Sequence, residues 1–578
     1  PVGALTSKPF RYSARTWELS RRKTVSPHDS LGTNLVVQVK HDEVKRVLPL
    51  ENEEVNECWI SDRDRFSYEA LNGEQRLTRP MIKQDGKWNE VDWQTALEYA
   101  ANSLRRVADE HGANRIGCLA APYSTTEELF LAAGLMKGLG GGNVDYRLRQ
   151  TDFSLDGKLS GIPWLGMKVA DISKLDAALV VGSFLRKDHP LMAQRLRQAA
   201  RRGTQVSAVG VDGSDWLMSL HERVTVAPAA LAAELGALVK AAAEIRGVAV
   251  PAGLEQTVVS DASRRIAQSL CNEGSRGILL GAVVEQHADA AGLHALAQAL
   301  AEITGATLGY LGEAANSVGA RKAGAQAGLN ARDMLQSGLR AFVLLHTEPE
   351  LDSANPPKAL EALNAADTVI VMSPFKTGLD YADCLLPIAP FTETSGTFVS
   401  AEGRIQSFHA VVRPRGETRP AWKVLRVLGS MLGIAGFDFD SSEAVRDVAL
   451  SGASGSLPAN ELGNAASGIG FAKTPAPAGL QRIADYPIYR NDAMVRRAPA
   501  LAATRDSAAP VVRVNPATAA QAGLSAAQRV RVGGSAGKSE FGLVFDDAIP
   551  AGCVRLAAGW PETAQLGSLN GTVTVEAV

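Results

Sequence analysis

The sequence predicts an α/β protein with a body built on a mostly parallel sheet and a small β-barrel at its carboxyl-terminal end. Between Pro80 and about Asp440, strands alternate with helices of about ten to fifteen residues, which is typical of crossover connections between parallel strands. Residues 509–578 consist of short β-runs separated by Gly, Pro and Asp, which favours a small closed barrel. A stretch rich in Gly, Ala, Pro and Ser separates these two regions.

Composition narrows the class of protein. The chain has 578 residues, more than one hydrophobic core normally serves, so we expect several domains. Its net charge is −2, so nothing indicates nucleic acid or an anionic membrane surface as a partner. No apolar run approaches the roughly 18 residues of a spanning helix, so we expect no direct membrane span. Five widely separated cysteines and no metal-ligand spacing of histidines favour a reducing compartment, and a complete metal centre is not expected.

The pattern divides the chain into four segments. Residues 1–80 are β-rich, and a hairpin is predicted from the strands 34–40 and 44–48. Residues 81–440 form the α/β body, residues 441–507 are expected to be a linker with little core, and residues 508–578 form the barrel. The opening residues of the chain have no start-like composition, and we expect the sequence to be a fragment of a longer protein.

The helices and strands of the body follow from periodicity and capping. Residues 93–110 have helical periodicity, with Asp92 placed as N-cap and Gly112 just past the end. Ser124 or Thr125 caps the next helix. The other predicted strands are 115–120, 176–182, 205–210, 277–281, 339–346 and 368–372, and the other predicted helices are 125–137, 191–202, 231–245, 258–272, 287–304 and 357–366.

One stretch, residues 380–406, concentrates residues with special roles. A buried strand opens there into a loop of Gly, Ser and Thr, which is where α/β proteins usually meet a ligand. Glu393 and Glu402 are candidates for a general acid–base pair, although loop carboxylates more often accept backbone hydrogen bonds. Gly182-Ser183, with basic residues close behind, is a second candidate, for a phosphate; a solvated strand-to-helix loop is the alternative.

The motifs of this stretch resemble those of the molybdopterin oxidoreductase superfamily. Three motifs stand in the order and spacing of that family: Ala382-Asp383…Leu386-Pro387, Glu393…Gly396-Thr397-Phe398 and Glu402-Gly403-Arg404…Gln406. The segment VRVNPATAAQAGL resembles the dinucleotide-binding double-psi barrel that ends those proteins. The resemblance therefore implies a molybdopterin oxidoreductase-like parallel-sheet body and a double-psi-type barrel.

Within the superfamily, the chain resembles the G-subunit family of proton-translocating NADH:quinone oxidoreductase, respiratory complex I, in its mitochondrial large iron–sulfur subunit type. WISDRDRFSYEAL, RLTRPM and EAANSVGA carry this resemblance. It implies a peripheral-arm subunit that carries [2Fe–2S] and [4Fe–4S] clusters on ligands before Pro1. The implied partners are the other peripheral-arm subunits, including the flavin-bearing one. The implied location is the cytoplasmic face of the bacterial inner membrane, with the mitochondrial matrix side as the alternative.

The residues depart from the superfamily at two cofactor sites. Some members bind a further [4Fe–4S] cluster, and its four cysteine positions here are Ser26, Asp29, Thr33 and Ser61. Because thiolates hold such clusters, the resemblance implies an empty site and no cluster in this fragment. In formate dehydrogenases a thiolate or selenolate ligates molybdenum at the position that is Thr151 here, and threonine is a poor soft-metal ligand. We therefore expect no molybdenum.

The resulting hypothesis is a scaffold with a lapsed molybdopterin site, within a complex that passes electrons from NADH to quinone. The positions of the lapsed pterin loop would be Glu393, Gly396, Thr397, Glu402 and Arg404, acting as structural partners rather than cofactor ligands. An active molybdopterin oxidoreductase, of the formate dehydrogenase or nitrate reductase kind, is the first alternative. A binding or scaffold protein outside respiration is the second.

Overall fold

The computed structural model describes residues 6–471 and 477–578, so the first five residues of the predicted β-rich segment lie outside it. This segment folds as a three-stranded antiparallel sheet of Ser20–Val25, Asn34–Lys40 and Glu43–Pro49. The predicted hairpin is confirmed, and its turn places His41 and Asp42 in the left-handed region, at φ of 52° and 57°. Two short helices, Asp62–Phe66 and Glu69–Asn72, then lead into the body.

The body contains two sheets, whereas the sequence pattern predicted one. The first is a five-stranded, wholly parallel sheet in the spatial order Glu222–Thr225, Gln205–Gly210, Ala177–Val181, Arg276–Leu280 and Thr307–Tyr310. The second has seven strands in the order Lys87–Glu90, Met81–Gln84, Cys384–Pro387, Thr368–Ser373, Ala341–Leu345, Ile116–Ala120 and Asn143–Asp145. Only the first two strands of this second sheet pair antiparallel to their neighbours.

Both sheets are covered on both faces, as predicted for crossover connections. In the strand Ala177–Val181, Leu179 packs into one apolar cluster and its neighbour Val180 into another, because successive side chains leave a strand on opposite sides. The seven-stranded sheet divides in the same way, with Cys118 and Leu119 in separate clusters. The parallel-sheet architecture expected from the sequence is therefore confirmed.

The helices of the body begin where capping residues predicted. The Asp92 carboxylate accepts a hydrogen bond from the N–H of Thr95, and Thr125 forms a capping box with Glu128. None of the described helices is long and apolar enough to cross a membrane. The helices of the body are Trp93–His111, Thr126–Leu139, Leu185–Asp188, Pro190–Arg201, Leu231–Arg246, Asp261–Cys271, Ala282–Glu285, Ala290–Thr304, Ser317–Lys322, Ala331–Met334, Pro349–Asp352, Pro356–Ala365, Ala421–Met431 and Ser442–Ala449.

The carboxyl-terminal domain is a closed six-stranded barrel, as predicted. Five of its strands fall on predicted β-runs, but the sixth, Leu480–Ile483, comes from the segment expected to be a linker. The short helices Pro516–Gln521 and Pro561–Ala564 lie within this domain, and the short helix Pro499–Ala502 lies between its first two strands in the sequence. The strands in order around the barrel are Leu480–Ile483, Cys553–Arg555, Val511–Val514, Lys538–Phe545, Arg529–Gly533 and Thr572–Ala577.

The segment 441–507 also contributes to the core, contrary to expectation. Val495 and Leu501 are fully or almost fully buried, and residues 488–501 form an apolar cluster of their own. Its Gly- and Pro-rich composition hid short buried runs that have no periodicity to reveal them. Residues 472–476 of this segment lie outside the described residues, and the boundaries of the four segments stay a prediction.

Candidate functional site

The carboxyl ends of strands from both sheets face one central cleft. The loops that follow Ala177–Val181, Arg276–Leu280 and Thr307–Tyr310 meet those that follow Asn143–Asp145 and Ile116–Ala120. Residues 482–491, which include and follow the end of the first barrel strand, and residues 569–570 complete the wall of the cleft. The carboxyl edge of a parallel sheet is the usual place for a ligand in α/β proteins, so this cleft is the candidate site.

Arg149 lies at the centre of the cleft and is surrounded by groups of this chain. Its guanidinium is 3.1 Å from a Glu313 carboxylate oxygen and 3.4 Å from one of Asp352, and it donates to the Asn491 side-chain oxygen at 2.5 Å. It also stacks over the Tyr486 ring at 3.7 Å. Burial opposes the charge, but these carboxylates outweigh it and raise the pKa of Arg149. The cation is therefore already neutralised by the chain itself.

A second buried arginine, Arg496, lies between the barrel strands Leu480–Ile483 and Val511–Val514 in the sequence, and it binds this segment to the loop that follows the strand Ala341–Leu345 of the seven-stranded sheet. Only 3% of its side chain is exposed, and it contacts Glu348 at 2.8 Å and Asp352 at 2.9 Å. Arg497 reaches the other oxygen of Glu348 at 2.5 Å. Burial alone would raise the pKa of Glu348, but the two arginines outweigh it and lower that pKa to about 2. The carboxylate is therefore ionised throughout the physiological range.

His28 joins the amino-terminal sheet to the same late segment. Its Nδ1 lies 2.9 Å from Asp492 Oδ2 and its Nε2 lies 2.7 Å from the Ser67 hydroxyl, all within the interior. Burial lowers the pKa of His28, but the charge and hydrogen bond of Asp492 outweigh it, and the net shift is upward. Three distant parts of the chain are thus held together by one buried contact.

This contact predicts a pH dependence of stability. Because the folded pKa of His28 lies above its unfolded value of about 6.5, its stabilisation is full below that value and is lost as pH rises through the folded pKa. We expect His28→Asn to cost about 1.5–3 kcal/mol at pH 6, as for loss of a buried charge-assisted hydrogen bond, and clearly less at pH 9. Urea unfolding at both pH values measures this. His409→Asn, at an 80% exposed histidine, is the control and should show no such difference.

The four degenerate cluster positions are all buried, and three of them, Ser26, Asp29 and Ser61, lie near a carboxylate that sequence reasoning missed, Asp64. The Ser61 hydroxyl donates to Asp64 at 2.9 Å and caps the helix Asp62–Phe66. Burial raises the pKa of Asp64 and the nearby charge of Asp29 raises it further, whereas the charge of His28 lowers it. Thr33 accepts the N–H of Ser26 through its backbone carbonyl. Three hydroxyl side chains and the carboxylate of Asp29 therefore stand where the thiolate ligands of a cluster would be.

Thr151, the expected molybdenum-ligand position, connects the body to the barrel. Its hydroxyl donates to the Gln286 carbonyl at 2.9 Å and accepts from the Asn570 side chain at 3.2 Å. Both partners line the cleft, so the hydroxyl at the metal-ligand position is engaged by this chain. The residue present does not fit molybdenum.

The predicted pterin loop folds as a two-stranded ribbon, Gly396–Val399 and Ile405–Phe408, and its acids face inward. Glu393 is 4% exposed and forms a two-pronged ion pair with Arg76, at 2.7 and 2.9 Å. It also accepts the N–H of Arg415 at 3.1 Å and the hydroxyl of Thr418 at 3.2 Å. Both oxygens of Glu393 are therefore engaged by donors of the chain itself.

The remaining loop positions are engaged in the same way. Thr397 donates its N–H and hydroxyl to Glu127, whose pKa is raised to about 7 by burial. Glu402 accepts the N–H of Val169 at 2.6 Å and pairs with Arg404. Arg404 also contacts Glu54 at 2.7 Å, and a side chain at Gly396 would collide with Thr125. Glu393 and Glu402 have separate arginine partners, which argues against an acid–base pair.

The basic residues of the second sequence candidate, the loop after Gly182, also contact groups of the chain itself. Lys187 contacts Asp506 at 2.5 Å, and Arg186 donates to the Asp215 carbonyl at 3.0 Å. His189 contacts the Gly312 carbonyl at 2.7 Å, and burial lowers its pKa to about 4, so it carries no charge at neutral pH. These contacts favour a structural loop.

One cation of the cleft, Arg482, differs from the others because it has no acidic partner among the described residues. Arg482 is 3% exposed, and burial lowers its pKa to about 10. It donates to the Ser568 carbonyl at 3.3 Å, but its Nε and Nη2 have no acceptor among residues 6–471 and 477–578. Sequence reasoning missed Arg482 and the Arg496 cluster, because no local motif marks an arginine whose partners lie far away in the chain.

The fold and the cleft define a class of protein. The chain belongs to the molybdopterin oxidoreductase family, which matches residues 76–431. The molydopterin dinucleotide binding domain family matches residues 483–577, and the 4Fe-4S domain family of NADH-ubiquinone oxidoreductase NDSU1/NuoG-like proteins matches residues 19–69. Within 19–69 the only cysteine is Cys58, which is exposed, so the residues present do not fit an iron–sulfur cluster.

The relatives within this class are G-type subunits. The chain is 28% identical to the G subunit of NADH-quinone oxidoreductase from Rickettsia felis, over 75% of this chain and 59% of that protein. It is 27% identical to the mitochondrial NADH-ubiquinone oxidoreductase 78 kDa subunit of Candida albicans, over 77% and 57%. A shorter match, 37% identical over 36% of this chain and 30% of the relative, is to the corresponding G subunit of Rickettsia conorii. The chain spans less than two thirds of these relatives.

A solved structure shares the fold at low identity. Acetylene hydratase from Pelobacter acetylenicus superposes with a TM-score of 0.72 over 96% of this chain and 99% of that chain, at 14% sequence identity. Together with the family matches, this shared fold confirms the predicted molybdopterin oxidoreductase-like architecture with its carboxyl-terminal barrel.

Proposed function

We propose that this chain is the body of a G-type subunit of NADH:quinone oxidoreductase and supports electron transfer from NADH to quinone as a scaffold. The names and coverage of its relatives support this assignment. Its partners are the other peripheral-arm subunits, including the flavin-bearing one, and it acts as a peripheral protein at the cytoplasmic face of a bacterial inner membrane. The [2Fe–2S] and [4Fe–4S] clusters belong to another part of the subunit.

The observation that carries the scaffold role is the ion-paired interior of the cleft. Arg149 and Lys187 are two of the cations that line the cleft, and each is paired with an acid of the chain. Binding an anion there would break contacts between desolvated charges, which costs about 3–5 kcal/mol for each pair that loses a partner. The cleft is therefore better suited to holding the domains together than to binding the cofactor.

Metal analysis of the assembled complex tests the proposal. We expect the complete natural subunit that contains this chain to co-purify with flavin- and cluster-bearing subunits. The purified complex should contain no stoichiometric molybdenum. Expressed alone as residues 1–578, this chain should contain neither iron nor acid-labile sulfide. Stoichiometric molybdenum or a reducible cluster in the isolated chain would overturn the scaffold assignment. Absence of flavin- and cluster-bearing partners would instead favour a scaffold outside respiration.

Arg482 favours a second candidate, an active molybdopterin oxidoreductase. A buried guanidinium with two unpaired N–H groups facing a cleft is suited to an anionic ligand. Oxidation of the purified protein, followed by a search for pterin fluorescence, separates the two candidates. A pterin signal at one equivalent for each chain would support the second, and its absence supports the scaffold.

A further inference from the structure

A groove on the surface of the body is separate from the central cleft, because the two have no lining residue in common. It runs along the helix Ala421–Met431, between that helix, the helix Trp93–His111 and the turn near Phe439. Its apolar wall consists of Leu97, Val427 and Phe439, together with one face of the Trp422 ring. None of these residues takes part in the interior ion pairs described above.

Three basic side chains border this groove. Arg419 and Lys423 are exposed and Arg426 is about one-third exposed, and their spacing of four and three residues places them on one face of the helix and its entry. The acid that lines the groove is Asp440, and Asp438 lies 3.7 Å from Arg426. The border therefore carries an excess of positive charge beside an apolar floor.

Two buried donors in the groove have no acceptor. Trp422 is 4% exposed, and its indole N–H has no partner among residues 6–471 and 477–578. The Nε of Arg426 is likewise buried without an acceptor among the described residues. A buried indole N–H normally has a hydrogen-bond partner, and leaving one unpaired costs about 1–3 kcal/mol. Both donors belong to residues that line the groove, so the groove has unmet hydrogen-bonding capacity beside its apolar wall.

We propose that this groove binds a segment of another subunit that presents an Asp or Glu carboxylate next to an apolar side chain. The carboxylate pairs with Lys423 and Arg419 and supplies an acceptor to the buried donors, and the apolar neighbour covers Leu97 and Val427. This inference rests on the proposed function, because it takes the partner to be a protein of the same respiratory complex.

Zero-length cross-linking of the assembled complex tests the groove directly. A carbodiimide joins a lysine to a carboxylate only when the two are in contact. We expect an amide bond between Lys423 and an Asp or Glu of a different subunit, flanked within two residues by an aliphatic or aromatic side chain. Cross-links of Lys423 to acids of its own chain only, or none, in an assembled complex would overturn the proposal.

Charge reversal provides the second arm. Arg419→Glu combined with Lys423→Glu should lower incorporation into the complex about tenfold, the effect of about 1.4 kcal/mol. The isolated variant should still fold cooperatively, with only a small fall in melting temperature, because Arg419 also lies over the Trp93 ring and Lys423 over the Trp422 ring. Lys87→Glu combined with Arg201→Glu, at exposed basic positions elsewhere, is the matched control. Normal incorporation of the groove variant overturns this proposal alone. Failure of the wild-type chain to join flavin-bearing subunits would overturn the proposed function instead.

Discussion

Arg496→Met is expected to lower the free energy of unfolding by about 3–5 kcal/mol, the cost of removing one partner from a buried ionic cluster. Glu348 would keep Arg497 and Asp352 would keep Arg149, but each would lose its contact with Arg496 in the interior. Methionine fills a similar volume, so the loss reports charge rather than packing. Urea or thermal unfolding of the isolated chain measures the effect.

The pH dependence distinguishes this mechanism from a packing defect. Without Arg496, burial favours the neutral form of Glu348 more strongly, so the folded variant binds a proton at a higher pH than the wild type does. The destabilisation should therefore be smaller at pH 5 than at pH 8. Arg264→Met removes an exposed arginine that lies 3.4 Å from Glu244, and it should cost less than about 1 kcal/mol at both pH values. If Arg496→Met and Arg264→Met lowered the free energy of unfolding equally, the buried ionic cluster would contribute no more to stability than an exposed ion pair.

Glu393→Gln is the second large effect that the structure predicts. The amide keeps the shape of the side chain but leaves the Arg76 guanidinium, also buried, without its counter-charge. We expect a loss of about 3–5 kcal/mol in unfolding free energy. In the assembled complex, the rate of electron transfer from NADH to quinone for each correctly incorporated subunit should stay unchanged, because Glu393 is buried and both its oxygens are engaged within the chain.

A nearby carboxylate provides the control. Glu417 contacts Arg79 at 2.9 Å but is 42% exposed, so Glu417→Gln should change stability by less than about 1 kcal/mol. The decisive comparison is between stability and rate. If Glu393→Gln left the melting temperature unchanged but slowed electron transfer, the loop would have a functional role and the interpretation of a lapsed site would fail.

Local signals in the sequence predicted the elements well. Asp92, Thr125 and Gly112 mark helix ends by their own chemistry, and the structure places them where capping rules require. The division of the body into two sheets was not predictable, because periodicity identifies crossover units without saying which strands pair. The strand Leu480–Ile483 was missed because four residues between Gly-rich stretches have no recognisable period.

The candidate site was predictable only where a motif marked it. The stretch 380–406 and Thr151 were found, and the structure shows what their side chains contact. Arg496 was not, since its partner Glu348 is 148 residues away in the chain and neither residue stands in a pattern. Buried ion pairs between distant segments leave no local trace, so the feature that best explains the cleft was available only from the fold.

The contact between His28 and Asp492 also has a temporal consequence for biosynthesis. The two residues are 464 positions apart. At a ribosomal rate of about 5–20 residues per second, His28 would wait about 25–90 seconds for its partner to be made. During that interval the His28 imidazole, which is buried in the folded protein, would stay exposed together with the surface around it. A nascent chain stalled before residue 492 should therefore recruit chaperones at its amino-terminal end, and release soon afterwards should coincide with closure of the molecule.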